Sequence, residues 1–262
     1  MRMKKKLKII FLLMNSYDLP SYQKEILKFA LKSKNIDVLQ IIEIPERKKS
    51  LLNFKLINKI ILKIFFIFEN LFITKKQIYH KNIYLNLNSI KIIKINPLRK
   101  KFTDKFKNED LKKIKNVKPD LIINFSDRLI KGKILKIPKL GIFGFHLSDT
   151  NFQRNGLGGF YEIIEKKIYS GITIQKYNNS VDGGMVVHKK FFKTINYFTQ
   201  NHYNLLKETP SLFRYVLNQL IYNKIKFQKP KKYKKKLYQH PPSIKDLVKY
   251  IFLTYIKKNI HE

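Results

Sequence analysis

Cysteine is absent from the 262 residues, which excludes disulfides, thiolate metal ligands and a cysteine nucleophile. Histidine is scarce. The six copies, at 80, 146, 188, 202, 240 and 261, never fall in a His-x-x-x-His or His-Glu-x-x-His spacing, so no metal site is expected. Carboxylates are also few, 18 against 55 basic residues, for a net charge of +37. Arginine is rarer still: only positions 2, 47, 99, 128, 154 and 214 carry it, and the remaining basic residues are Lys. Nucleic-acid readers lean on Arg for bidentate contacts to phosphate and guanine, so nucleic acid is not the expected partner. The Lys excess travels with Ile, Asn, Phe and Tyr, all drawn from AT-rich codons, and composition bias on solvated faces accounts for it. A surface for polyanions or anionic membrane is the alternative. No window of about 18 uncharged apolar residues exists, so no membrane span is expected. Met1–Lys6 with the apolar Ile9–Met14 imitates a signal peptide, but the run is short and no small-x-small site follows; a buried strand is the better reading. The expected location is cytoplasmic, or peripheral at the inner face of the membrane.

The opening 45 residues read strand, helix, strand: Ile9–Met14 and Val38–Ile44 are continuous apolar runs, and Tyr22–Ser33 carries a helical apolar stripe. That is the βαβ start of a doubly wound, mostly parallel α/β fold. No Gly-x-Gly-x-x-Gly follows the first strand, so a dinucleotide fingerprint is lacking. Leu51–Ile73 reads as an amphipathic helix with Lys55, Lys59 and Lys63 along one face. It packs on the sheet with Lys outward, or docks on an anionic bilayer with Lys snorkelling. Further along, strands are expected at Ile83–Ile95, Asp120–Phe125, Gly141–His146, Gly171–Tyr177 and Met185–Phe192. Helices are expected at Asn108–Lys115, Leu129–Leu135, Gly158–Lys167 and Asn201–Lys226. A Lys- and Pro-rich linker at Gln228–Lys236 precedes a last helix capped by Ser243. This divides the chain into an α/β domain, 1–195, with an amphipathic helical insertion at about 46–80, and a helical, Lys-rich C-terminal extension, 196–262.

Six of the nine glycines lie between Gly156 and Gly184, and two more are Gly141 and Gly144. Glycine gathers where backbone must turn sharply or approach a ligand, and open parallel sheets bind ligands at the carboxyl ends of their strands. His146 ends one expected strand; Asp182, followed by Gly183 and Gly184, sits in the loop after another. A His and an Asp so placed form a candidate acid–base site.

These segments resemble the folate-dependent formyltransferases. Leu140-Gly141-Ile142-Phe143-Gly144-Phe145-His146 is similar to their Leu-Gly-x-x-Asn-x-His. Ser170-Gly171-Ile172-Thr173-Ile174-Gln175 is similar to their Thr-Gly-Val-Thr-Ile strand, and Val181-Asp182-Gly183-Gly184 to their Asp-x-Gly loop. Three motifs agree in order, with about 36 residues between His and Asp (182 minus 146). Phe145-His146-Leu147-Ser148-Asp149 and the stretch from Arg154 to Glu162 resemble a subgroup with Phe-His-x-x-Asp and Arg-Gly-Gly-Pro-x-Gly-Phe-Trp-Glu, the first departing by one residue in spacing. The resemblance spans about 118–192. It implies a Rossmann-type formyltransferase fold and transfer of a formyl group from formyl-tetrahydrofolate to a primary amine, without a metal.

Carried over residue by residue, His146 and Asp182 are the catalytic pair. Arg128, Leu129, Ile130 and Gly183 meet the folate donor, and Ser148, Asp149, Arg154, Asn155 and Glu162 meet the acceptor. Arg128 and Arg154 recognise a carboxylate or phosphate, or form salt bridges; Glu162 orients the amine, or pairs on a helix surface. Gly144 stands where the family's oxyanion-stabilising Asn belongs, and Ser148, Asn151 or Asn155 is a candidate replacement donor. The expected acceptor is a nucleotide- or lipid-linked amino sugar of a surface polysaccharide. Initiator methionyl-tRNA and a non-catalytic ligand-binding role are the alternatives.

Overall fold

A computed structural model describes residues 6–16, 18–45, 54–74, 83, 85–100, 103–126, 128–152, 157–179, 184–229 and 242–256, with 54–59 given by backbone alone. The chain opens with β1 (Leu7–Leu13), α1 (Ser21–Lys32) and β2 (Ile36–Glu43). Every apolar residue of β1 is buried, because this strand is covered on both faces, as its unbroken apolar run demands. α2 (Phe54–Phe68) follows and widens into a π-type turn at Glu69–Ile73. Then come β3 (Ile92–Lys94), β4 (Leu98–Lys100), β5 (Thr103–Lys105), α3 (Asn108–Asn116), β6 (Leu121–Asn124) and β7 (Leu129–Lys131). β8 (Gly141–His146), α4 (Phe160–Ile164), β9 (Tyr169–Lys176), β10 (Met185–Lys193), α5 (Phe198–Ile221) and α6 (Ile244–Ile251) complete the order.

Seven strands form one sheet in the order β10-β9-β8-β6-β1-β2-β3. The five from β8 to β3 are parallel, while β9 and β10 extend the sheet antiparallel. α1 and α5 cover one face, where Ile26, Leu27, Leu205, Phe213 and Val216 meet Phe11, Leu13 and Phe143. α3 covers the other, with Leu111 and Ile114 against Ile10, Leu12, Ile122 and Ile142. The fold is the doubly wound, mostly parallel α/β sheet expected from the sequence. The chain leaves β1 toward β2 on one side and later returns to β6 on the other, so the switch point lies between the carboxyl ends of β1 and β6.

Three departures from expectation have physical causes. Leu129–Leu135 is not a helix: Leu129–Lys131 pairs with Thr103–Lys105 in a second sheet of order β4-β5-β7. Gly132, at φ +89°, then breaks the chain and leaves room only for a 3-10 turn at Lys133–Lys136. The helix expected over Gly158–Lys167 shrinks to α4, because Gly159 (φ +89°) and Lys166 (φ 50°) are both left-handed and bracket it. Finally, α5 begins three residues before the expected start and ends five before the expected end (198 against 201, 221 against 226); its buried side chains join the main core.

α2 and α6 cross over a third cluster, where Leu62, Leu247 and Tyr250 pack on Phe160 and Phe198. Its polar centre is Glu69, fully buried. One carboxylate oxygen accepts from the hydroxyls of Tyr250 and, at 2.6 Å, Tyr255; the other accepts from the Thr199 N–H at 2.8 Å. Both phenols are held far above their ordinary range by burial and by the Glu69 charge. α6 starts with the capping box signalled by Ser243, whose side chain and Asp246 satisfy each other's backbone N–H groups.

Candidate active site

Side chains alternate between the faces of a strand, so Ile142, Gly144 and His146 of β8 share one face. Ile142 packs in the cluster under α3, which fixes that face. The β6–β8 register sets Ile123 beside Phe143 and so brings Asn124 alongside Gly144. On the other side, β9 places Gln175 opposite Gly144 and Thr173 opposite His146. Asn124, Gly144, His146, Thr173 and Gln175 therefore line one face at the carboxyl-terminal edge of the sheet, with His146 half-buried at the rim.

Gly144 is filled from outside. A Cβ built there would lie 1.9 Å from the hydroxyl of Tyr177, so the phenol occupies the volume a side chain at 144 would need. That hydroxyl accepts from Asn124 Nδ2 at 3.4 Å. Asn124 is itself fixed: Nδ2 also donates to the Arg128 carbonyl at 3.0 Å, and Oδ1 accepts from the N–H and hydroxyl of Ser126 at 3.1 and 2.7 Å. Beside them opens a shallow cleft lined by Leu129, Ile130, Lys131, Gln175, Tyr177, Asn178 and Gly184. Leu129 and Ile130 thus stand on a concave wall beside a phenol and a carboxamide. β7 is the last strand of its sheet and turns its outer backbone edge away from β5.

The expected site residues meet different fates. Arg128 is tied into the protein, its Nε donating to Asp104 at 2.7 Å and Nη2 to the Thr103 carbonyl at 3.3 Å. Asp104 is fully buried, so this ion pair clamps β7 to β5, the salt-bridge reading of Arg128. Asp149 accepts from the Lys189 ammonium and, at 2.9 Å, from the Asn151 N–H, so a protein amine already faces it. Ser148 is fully buried and donates to Glu162 Oε1 at 2.6 Å, which removes it as a replacement oxyanion donor. Glu162 is not on a helix surface: it is 2% exposed, and its Oε2 has no hydrogen-bond partner among the described residues. Burial, with the Asp149 charge adding a little, pushes its carboxyl up to about 7 against the bonds from Ser148 and the backbone. The loop carrying Ser148 can approach α4 because Gly158 has no Cβ; one built there would lie 2.0 Å from the Leu147 carbonyl. His202 secures the same turn, Nδ1 donating to the Gly158 carbonyl at 2.9 Å, and burial keeps its pKa below the ordinary value. Asp182, Gly183, Arg154 and Asn155 lie outside the described residues.

Asn124, Gln175 and Tyr177 are site residues that sequence reasoning passed over. Asn124 had a signal: a carboxamide ending the apolar run Leu121-Ile122-Ile123 at the edge of the sheet. No group of three or more His, Asp or Glu side chains able to hold a metal occurs among the described residues.

His146 stands at the carboxyl edge of an open, mostly parallel sheet, the edge at which α/β folds bind their ligands. Comparison with known proteins narrows the class. The chain aligns over 94% of its length with 87% of a sugar N-formyltransferase from a Shewanella species (14% identity, TM-score 0.56). It aligns over 97% with 82% of the Helicobacter canadensis N-formyltransferase solved with folinic acid and dTDP-3-aminofucose (14% identity, TM-score 0.54). It also aligns over 86% with 95% of glycinamide ribonucleotide transformylase 1 from Symbiobacterium toebii (11% identity, TM-score 0.57). The chain has the formyltransferase fold. In sequence, 82 residues are 32% identical to the methionyl-tRNA formyltransferase of Enterococcus faecalis, a match spanning about a quarter (26%) of that enzyme and 31% of this chain. No protein-family model matches.

Proposed function

We propose that this chain is a formyltransferase moving a formyl group from formyl-tetrahydrofolate to the primary amine of a nucleotide-linked amino sugar. The observation that carries the reading is the grouping of His146, Asn124 and the Tyr177 hydroxyl around Gly144, beside the Leu129–Ile130 cleft. In the transfer, the amine nitrogen bonds to the formyl carbon, the bond from that carbon to the folate nitrogen breaks, and one proton passes from the amine to that nitrogen. His146 carries the proton with Asp182 as its partner. The oxyanion formed on the way needs a hydrogen-bond donor. Gly144 has no side chain to give one; the Tyr177 hydroxyl stands in that volume, held by Asn124, and takes the role. The Leu129–Ile130 cleft takes the pterin ring. The sugar acceptor is favoured by the fold shared with the Shewanella and H. canadensis enzymes.

The test is release of tetrahydrofolate when purified protein meets formyl-tetrahydrofolate and a panel of nucleotide-linked amino sugars. Turnover is expected with at least one sugar. Removing an oxyanion donor typically lowers kcat by ~10²–10³-fold, and Tyr177→Phe should fall in that range with an unchanged KM; His146→Ala should fall at least as far. Folate binding without turnover on any acceptor would replace the reading with the ligand-binding one. Initiator methionyl-tRNA belongs in the panel because of the 82-residue match and the +37 charge; formylation of tRNA alone would move the acceptor assignment there.

A further inference from the structure

We propose that the outward faces of α2 and α6 form a single apolar platform that lies on an anionic bilayer, independently of the reaction assigned to the cleft. α2 has two apolar faces. Leu62, Phe65, Phe66 and Glu69 turn inward onto Phe160, Phe198 and Tyr250. Ile60, Ile64, Ile67, Phe68, Leu71 and Phe72 recur at helical spacing on the opposite side, Ile64 and Phe72 being 62% and 68% exposed. α6, with the π-type turn Phe252–Ile256 that continues it, repeats the arrangement: Leu247 and Tyr250 enter the same cluster, while Ile244, Val248, Phe252 and Ile256, spaced by four, are exposed. The two helices touch through Phe65 and Tyr250, ring centroids 6.0 Å apart. They rest on the same cluster, each with its exposed stripe on the side away from it. Soluble proteins rarely leave so extended an apolar surface without an occupant.

Charge selects the occupant. The only carboxylates on the described residues of these two helices are Glu69, fully buried, and Asp246, engaged in the capping box. Lys63, Lys245 and Lys249 are exposed beside the stripes; Lys249 also pairs with Glu165 at 2.9 Å. Two copies meeting face to face would oppose like-charged rims on chains of charge +37, whereas an anionic headgroup layer complements them. No described helix is long and apolar enough to cross a membrane, so the geometry is that of helices lying in the interface. α2 shows apolar side chains on both sides, with Lys63 exposed on its flank as the outward-Lys reading expects; the side chains of Lys55 and Lys59 lie outside the described residues.

The test is co-sedimentation of the full chain with vesicles of phosphatidylcholine alone or mixed with phosphatidylglycerol. The parent protein should bind the mixed vesicles and release from them as salt rises. The triple variant Ile64→Gln, Phe72→Gln, Val248→Gln keeps the charge and alters only exposed positions, so its thermal midpoint should match the parent's. Its affinity for the mixed vesicles should be weaker by at least ~10-fold, since those apolar groups no longer enter the bilayer. Equal binding of variant and parent, or no binding by the parent, overturns the proposal. A parent that sediments in solution as a dimer which the same variant dissociates would hand the platform to a second copy instead.

Discussion

Replacing Glu162 by Gln offers a test whose size can be worked out from the structure. The carboxyl is 2% exposed, receives one hydrogen bond from Ser148, and has one oxygen without a partner among the described residues. Burial pushes it up to about 7 from 4.5. A tenfold change in proton affinity is worth about 1.4 kcal/mol, so the gap amounts to about 3 kcal/mol. The sign follows from which state holds the proton. Between those two values the unfolded chain has released its proton and the folded chain has kept it. The parent therefore loses stability as pH rises through that window, and above about 7 the loss is complete. Glutamine accepts the same bond from Ser148 and imitates the protonated acid, but does not titrate. The stability of Glu162→Gln relative to the parent should rise by about 3 kcal/mol from pH 4.5 to pH 8, equivalent to roughly 6–12 °C in thermal midpoint at ~2–4 °C per kcal/mol for a protein near this size. Other groups titrate in both proteins and cancel from the difference, including His202, whose lowered pKa weakens the fold on acidification. Thermal or urea unfolding of the two proteins at unit pH steps measures it. A difference that stays flat with pH would show Glu162 ionised in the fold against a cation, and would refute the buried-acid reasoning.

Two further outcomes are expected. Gly144→Asn, which restores the side chain of the resembled family, should fold less stably than the parent because its Cβ meets the Tyr177 hydroxyl at 1.9 Å; adding Tyr177→Ala should recover more than ~1 kcal/mol of the loss in a double-mutant cycle, and additivity would refute the steric account. Arg128→Ala should cost ~3–5 kcal/mol in chemical denaturation, since it leaves the fully buried Asp104 without its cation; a cost below ~1 kcal/mol would show that β7 is held by other means.

Much of the sheet could be read from the sequence because its strands are unbroken apolar runs of strand length. Ile9–Met14 and Asp120–Phe125 advertise burial on both faces, and Gly141–His146 follows the glycine that lets it begin. The small sheet was invisible. Leu98–Lys100 and Thr103–Lys105 are three residues each, Lys-rich and without periodicity, and only pairing makes them strands. Leu129–Leu135 misled because a short apolar run fits a helix or a strand equally well until its neighbour is known. At the site, His146 could be found from its glycines, whereas Tyr177 could not. Nothing local marks a tyrosine after a strand as the occupant of a gap 33 positions earlier (177 minus 144); that relation exists only through the β8–β9 pairing. Glu162 was legible as a motif residue but not as a buried one, because α4 is too short to show a solvent face.

The Glu69 hub has a bearing on how the chain is made. Its carboxylate leaves the ribosome early, yet the two phenols that neutralise its burial follow 181 and 186 positions later. During synthesis that carboxylate therefore lacks its two hydroxyl donors until the chain reaches Tyr250 and Tyr255, so sealing that corner is a late event. Shortening the protein from its carboxyl end would strip a buried anion of both hydroxyl donors at once, and damage far from the cleft would then register as a failure to finish folding.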